Sequence, residues 1–439
     1  MVIVGLGQSG VAAARLCHRR GAEVVAADRA PRAELSAAAR ALGDDGIVVA
    51  AGSDGATALR AADLVIVSPG VPSYDALVAA EGRGVEVVSE LELASRFLDA
   101  PLVLVGGTNG KSTVTALVGE MLTRGGVRVF VGGNFGTPLC EAVAKPYDVI
   151  VVEISSFQAE RVPSLRARVG VLLNVSEDHL DRYASFQDYA DAKGNPFANS
   201  TDEDCAVIPA GDAVCAAQAR RGAARQVTFS GERAADVAVE VDAIVDSLRQ
   251  QRYPLAAIRL EGRHNVANAC AAIAAAAEMG AEPSGIAAAL AEFSGLHHRT
   301  ELIGRYEGVR YFNDSKGTNV GATVAALRGL REPRAVLIAG GRDKLGAYEP
   351  LVEALRERGR ALVVIGEAAE RIARAAEGVL PIERASTMTE AVDVAAALAQ
   401  PGDAVLLSPA CSSFDMFESY QDRGEKFAAA VRAKWEDAE

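Results

Sequence analysis

A chain of 439 residues exceeds what one hydrophobic core supports, so two to three domains are expected. Half of it is hydrophobic and 23% charged, as in globular proteins that live in water, and no apolar run approaches the roughly 18 residues needed to cross a membrane. A net charge of -13 argues against a non-specific nucleic-acid binder, which carries a basic excess, but leaves room for anionic small ligands held by backbone amides and a few cations.

The first stretch, "MVIVGLGQSGVAAARLCHRRGAEVVAAD", reads as an apolar strand, a glycine turn, an alanine-rich helix and a second strand. It begins with neither a basic leader nor a cleavage site, so a cytoplasmic protein is the expectation. So little chain precedes the first strand that a trimmed start stays open. "ADLVIVSPGVP" and "VEVVSE" are further strands, and "LELASRFLDAP" is a helix closing the unit. Then "PLVLVGG", "VRVFVGGN", "YDVIVVE" and "ARVGVLLNVSEDH" give short apolar runs that end in glycine, acid or polar residues, as parallel strands do at their carboxyl ends. "GRHNVANACAAIAAAAEMG" is one strong helix stopped by Gly280. After "FSGLHHRTE" the rhythm restarts with "VRYFNDSK", "RAVLIAGG", "ALVVIG" and "DAVLLSP". Three α/β units in a row are expected. The six cysteines (17, 140, 205, 215, 270 and 411) are scattered without a C-x-x-C pair, which fits reduced buried thiols better than a disulfide framework or zinc cage.

Two glycine motifs carry candidate chemistry. Gly5-Leu6-Gly7-Gln8-Ser9-Gly10 joins a strand to a helix, and Asp28 ends the next strand. The pattern fits a dinucleotide, a nucleoside diphosphate on the helix N-terminus, or a tight turn with no ligand, and by itself does not separate them. The second, "VGGTNGKST", resembles a phosphate loop, yet Val105 stands where G-x-x-x-x-G-K-[ST] requires glycine. Its context is nevertheless right: a strand, a loop with Gly106, Gly107 and Gly110, and a helix whose N-terminus carries Lys111 and Ser112. Ser112 or Thr113 would offer a hydroxyl to magnesium, and the strand "DVIVVE" would deliver Glu153 as the acid partner. "VLLNVSEDHLDRY" delivers Asp178, His179 and Asp181 in the same way, although on its own His179 reads better as a structural histidine.

The shortened loop "GTNGKST", with "EISSFQ", "NVSEDHLDRY", "GRHNVANACAA", "HHR" and "NDSKGTN", resembles the Mur ligase superfamily, and the resemblance covers essentially the whole chain. "VGGNFGTP", "NDSKGTNVGAT", "GGRDK" and "LLSPACSSFDMFESYQDRGEKF" are most similar to its D-glutamate-adding branch. The resemblance implies an α/β protein of three domains: a Rossmann-like unit binding a UDP substrate (1–95), a central P-loop-type ATPase domain with a mostly parallel sheet (96–295), and a Rossmann-like amino-acid-binding domain (296–439). It also implies an ATP-dependent amide ligase of peptidoglycan precursor synthesis, acting as a monomer in the cytoplasm without nucleic acid or membrane. The alanine carboxylate of UDP-N-acetylmuramoyl-L-alanine is phosphorylated, and the D-glutamate amine attacks the acyl phosphate.

Site residues follow from the same resemblance. Lys111, Glu153, His179 and Lys193 would be catalytic. One Mg2+ would sit on Ser112 and Glu153, a second on His179 and Lys193, the lysine carbamylated into a carboxylate-like ligand. ATP would meet Gly107, Thr108, Asn109, Gly110, Lys111, Ser112 and Thr113, with Asn265 and Asn268 toward the adenine and Arg299, Asp314 and Lys316 toward ribose and phosphates. Substrate contacts would be Gln8, Ser9 and Ser68 for UDP, and Asn134, Ser155 and Gln158 for the muramoyl part. The D-glutamate pocket would comprise Thr318, Lys344, Ser413, Phe414 and Tyr420. In isolation, Ser413 and Phe414 read as a helix cap and a core aromatic.

Two departures from the family pattern stand out. Gly194-Asn195-Pro196 replaces a basic and apolar run after Lys193, weakening the expectation of a helix there. Arg29-Ala30 follows Asp28 where the family has threonine and arginine, so either Arg29 replaces that arginine or the uracil contact is lost. Other readings are a different Mur-type or folylpolyglutamate-type ligase, an NAD(P)-dependent oxidoreductase using "GLGQSG", and a nucleotide-binding protein without catalysis.

Overall fold

A computed structural model describes residues 1–178, 182–260, 262–343 and 347–436. Three sheets divide it. The first has five parallel strands, in spatial order Val48–Ala51, Val25–Asp28, Val2–Val4, Leu64–Val67 and Glu86–Ser89. Val2 pairs with Val25 on one side and Val65 on the other. The chain order therefore reverses across the first strand, opening a crevice beyond its carboxyl end. The helix Gln8–Arg19 starts at that crevice.

The second sheet has nine strands. Leu102–Gly106 lies between Val149–Glu153 and Val169–Leu172, all parallel and buried on both faces. That burial explains why these segments read as continuous apolar runs. Their carboxyl ends deliver Gly107, Glu153 and Asn174 to one edge. On them pack the helices Lys111–Arg124 and Arg263–Glu278, the latter with Ala269 to Ala276 fully buried. Alanine lets this helix approach both the sheet and its neighbour closely. The sheet ends in an antiparallel meander, Val237–Glu240, Ala243–Asp246 and Gln251–Pro254, which the apolar rhythm did not announce. These strands are short and their burial uneven, so little period-2 signal survives.

The third sheet has six strands, all parallel except Glu301–Tyr306, which pairs antiparallel with Val309–Asn313. The expected strands at 309–313, 335–340, 359–365 and 404–407 are all present. The expected closing helix of the first unit spans Glu90–Ser95. Gly194-Asn195-Pro196 does not unwind the helix carrying Lys193. That helix runs Phe186–Gly194, capped by the Ser185 hydroxyl accepting from Asp188 N, and passes into a single 3-10 turn, Asn195–Phe197. Among the described residues, no helix is long and apolar enough to cross a membrane.

Candidate active site

The loop after Leu102–Gly106 is built for close approach. Gly107 and Gly110 have φ of +138° and +88°, and a Cβ at Gly110 would stand 2.5 Å from Asn268 Oδ1. The short loop is braced from the neighbouring strand end. Thr108 N donates to Asn174 O (2.9 Å), Asn109 N donates to Asn174 Oδ1 (2.8 Å), and Asn174 Nδ2 returns a bond to Asn109 O (3.1 Å). Asn174 thus supplies bracing, a role the sequence motif did not disclose. The Lys111 ammonium donates to Gly107 O and Thr108 O at 2.9 and 2.8 Å. Thr108, Asn109, Gly110, Lys111 and Ser112 line a cleft of about 410 Å³ together with Asn134, Glu153, Asn268, Arg299, Asp314, Lys316, Thr318 and Tyr420.

The floor of the cleft is charged and buried. Ser112 Oγ donates to Glu153 Oε2 at 2.6 Å, and Asn134 Nδ2 donates to Oε1 at 2.8 Å. Burial of Glu153 opposes its ionisation, but Lys111, Lys316 and those two hydrogen bonds outweigh it and hold the carboxyl below its ordinary range. From the third domain, Lys316 Nζ donates to Ser112 Oγ at 2.9 Å and Arg299 reaches the same oxygen at 3.5 Å. Burial lowers Lys316 to about 8, Arg299 and Lys111 pushing the same way against Glu153. The Lys316 ammonium also lies over the rings of Phe135 and Tyr420, at 5.0 and 5.4 Å. Ser112 Oγ and Glu153 are hard oxygen donors side by side, the donor set that magnesium prefers. Among the described residues, no group of three or more His, Cys, Asp or Glu forms a metal cage.

Lys193 is buried with its ammonium nitrogen 2.8 Å from Gly107 O. Burial, and then Lys111 nearby, push it well below the ordinary lysine range, while Asp178 and Glu153 pull upward. Asp178 lines the cleft; His179 and Asp181 lie outside the described residues. Asp314 accepts from Thr300 N (3.1 Å) and Ser408 Oγ (2.6 Å), and burial raises it to about 6. Among the polar cleft residues that the sequence motifs did not single out are Asn174, His264, Thr300 and Asn319. Arg423, fully buried, organises the third domain's side. It donates to Ser315 Oγ (2.9 Å), Ser315 O (2.8 Å) and Cys411 O (3.1 Å), tying the loop that carries Lys316 to the one that leads to Ser413.

Not every expected residue joins the cleft. Asn265 is buried behind it, its Oδ1 accepting from Asn268 Nδ2 at 2.9 Å. Thr113 is buried as well, its hydroxyl without a hydrogen-bond partner among the described residues. Ser155 and Gln158 form a reciprocal capping box on the helix Ser156–Ala159, yet the buried Gln158 Nε2 has no partner among the described residues. Ser413 is buried, whereas Phe414 is 67% exposed and so no core aromatic. Lys344 lies outside the described residues.

The first domain holds a separate cavity of about 540 Å³ lined by Gly7, Gln8, Ser9, Asp28, Arg29, Ser68 and Tyr74 among others. Gly10 is obligatory: a Cβ there would fall 1.9 Å from Gly5 O. Gly7 has open space before it, at the start of the helix, where an anion would approach the free N–H groups. Asp28 is held by the backbone: Leu6 N donates to Oδ2 (2.6 Å) and Ala30 N to Oδ1 (2.8 Å). Its role is to brace the glycine turn. Arg29 lies over the Tyr74 ring at 4.8 Å, at the cavity wall.

Three family models match the chain: Mur ligase MurD-like, N-terminal domain, over residues 1–89; Mur ligase middle domain over 105–276; and Mur ligase, glutamate ligase domain, over 298–411. A curated relative from Geobacter metallireducens, named UDP-N-acetylmuramoylalanine–D-glutamate ligase, is 44% identical over 440 residues, covering 99% of this chain and 97% of its own. Among solved structures, UDP-N-acetylmuramate-alanine ligase from Thermotoga maritima is similar with a TM-score of 0.63 at 19% identity, covering 99% of each chain. A folylpolyglutamate synthase from Mycobacterium tuberculosis, complexed with ADP, has a TM-score of 0.58 at 17% identity, covering 78% of this chain and 92% of that one. The two structures bear on the fold alone.

Proposed function

This chain belongs to the Mur ligase family, and we infer from that premise that it joins D-glutamate to UDP-N-acetylmuramoyl-L-alanine with cleavage of ATP to ADP and phosphate. The observation that carries the reading is the convergence of Lys111, Lys316 and Arg299 around Ser112 and Glu153, at the mouth of a glycine loop. Carboxylate activation brings a phosphoryl group and a carboxylate together, two anions whose repulsion must be offset by fixed positive charge. Lys111, Lys316 and Arg299 surround the reacting groups from two domains, and the buried floor excludes water that would hydrolyse an acyl phosphate. Asn134 holds Glu153 so that its second oxygen stays with Ser112. Magnesium bound by Ser112 and Glu153 would supply charge neutralisation at the transferring phosphate.

The reaction then has two halves. The substrate carboxylate takes the γ-phosphoryl group and ADP departs. The amino-acid amine attacks the acyl carbon, the C–O bond to phosphate breaks, and the amine proton is lost. Lys193 suits the second metal assigned to it with His179, because burial pushes its ammonium well below the ordinary lysine range and so favours the free amine that CO2 needs to form a carbamate. A carbonyl signal from 13C-bicarbonate in the wild type and not in Lys193→Arg checks this. We place the UDP group in the crevice of Gln8, Ser9 and Ser68 and the amino acid between Thr318, Lys344, Ser413, Phe414 and Tyr420. Domains bounded at 1–95, 96–295 and 296–439, a monomer, and a cytoplasmic setting complete the proposal. With its acid engaged by the glycine turn, the first domain lacks the free ribose-binding carboxylate of a dinucleotide site, which disfavours the oxidoreductase reading. The test is phosphate release with UDP-N-acetylmuramoyl-L-alanine, ATP and magnesium across an amino-acid panel including both glutamate enantiomers. Stimulation by D-glutamate alone is expected; stimulation by another amino acid instead transfers the chain to a different branch of the family.

A further inference from the structure

Among the described residues, Arg299, Lys316 and Asn319 of the third domain hydrogen-bond to the phosphate-loop side of the cleft. Arg299 and Lys316 have a part in handling phosphate; Asn319 has none assigned. Asn319 is the N-cap of the helix Val320–Gly329, its Oδ1 accepting from Ala322 N at 2.8 Å. That bond settles which end of the amide is oxygen, so the NH2 group faces outward. Both of its hydrogens cross the domain boundary, one to Asn109 Oδ1 at 3.2 Å and the other to Asp178 Oδ2 at 3.0 Å. The first turn of the helix follows it in: a Cβ at Gly321 would lie 3.3 Å from Asn109 Nδ2 and 3.6 Å from Ser176 Oγ. Asn109 is within the phosphate loop. Asp178 is four residues past Asn174, whose side chain braces that loop.

We propose that Asn319 is a positioning residue that latches the third domain onto the phosphate loop, so that the arrangement of the loop and the delivery of Lys316 and Arg299 to Ser112 occur together. One of its bonds is charge-assisted, and both are made only when the two domains meet. The kinetic arm of the test rests on the ligase reading, whereas the scattering arm does not.

Two variants separate the latch from the helix cap. Asn319→Asp keeps an oxygen for Ala322 N but turns oxygen instead of N–H toward Asp178. Asn319→Ser keeps a capping hydroxyl and is too short to reach across. With AMP-PNP, small-angle scattering of the full chain is expected to give a larger radius of gyration for both variants than for the wild type, with unchanged melting. The kcat/KM for the amino acid should fall about tenfold or more, the loss expected for one charge-assisted bond. The exchange Asn319→Asp with Asp178→Asn swaps donor for acceptor and should restore the compact profile. Wild-type compactness in both single variants overturns the proposal, as does an exchange variant no more compact than Asn319→Asp alone. Failure of the ligase reading shows differently: the wild type releases no phosphate with any amino acid, while the scattering comparison stands.

Discussion

The central domain meets its two neighbours by different physics. Toward the first domain it shares one apolar core: Leu91 and Leu93 belong to the same buried cluster as Leu104, Phe130, Leu139, Ile150 and Leu165. Polar anchors are buried along that seam, with Glu92 accepting from Ser164 N (3.1 Å) and Leu165 N (2.9 Å), and Ser89 N donating to Arg161 O (2.9 Å). Toward the third domain the contacts of the cleft are hydrogen bonds from Lys316, Arg299 and Asn319 to the loop and its surroundings. Apolar burial contributes stability whether or not ligand is present, whereas each polar contact nets only about 0.5–3 kcal/mol, the upper end for charge-assisted bonds, and depends on the charges between the domains. The first boundary is a weld and the second a closure, which makes the third domain the one expected to move during turnover.

The largest effect should come at the polar boundary. Lys111→Ala is expected to lower kcat by about a hundred- to a thousandfold, the scale of losing one preorganised charge-stabilising group, with little change in melting. Full rates in a single-turnover assay of acyl-phosphate formation would show the loop to be misread. Leu91→Ala tests the weld: a cavity in a shared core should cost about 2–5 kcal/mol in denaturant unfolding while leaving turnover per folded molecule intact. An equal loss from a polar contact of the third domain would erase the contrast.

Glu90 sharpens the picture of the weld. It is buried at the seam, with Oε1 accepting from Cys140 N at 2.5 Å and Oε2 without a partner among the described residues. Burial raises it from 4.5 to about 7. A raised carboxyl binds more protons in the folded state than in the unfolded one between those two values. Its contribution is therefore intact below pH 4.5 and declines as pH rises through 7. Glu90→Gln should accordingly melt like the wild type at pH 5 and above it at pH 8, by at most about 3 kcal/mol. A gain of equal size at both pH values would assign the effect to packing. The smallest effect concerns Lys316. Because its folded value is about 8, kcat/KM for ATP should fall as pH rises through 8, by about tenfold per unit beyond it. Lys316→Arg, charged throughout, should flatten that limb.

Much of the fold was legible because its signals are local. Apolar strands buried on both faces, such as Leu102–Gly106 and Val149–Glu153, need no distant partner to be recognised, and the glycine loops announce their own turns. The meander at 237–254 was not legible, since its short strands are stabilised by pairing with one another more than by a continuous apolar face. At the site, Lys111, Ser112 and Glu153 were readable from strand ends and helix starts. The bracing by Asn174, the cap-and-latch geometry of Asn319 and the buried clamp of Arg423 were not, because an asparagine or arginine carries no mark of which backbone groups it will meet.

The sequence by itself determined the three α/β units, the glycine loop and its lysine, because backbone conformation and hydrophobic period are properties of neighbouring residues. Tertiary structure alone decided that Lys316 meets Ser112 across 204 residues and that Asp28 reaches back to brace the glycine turn at Leu6. Those outcomes depend on which domain surfaces meet and on which polar groups burial leaves in need of a partner, and both are settled only when the chain is packed.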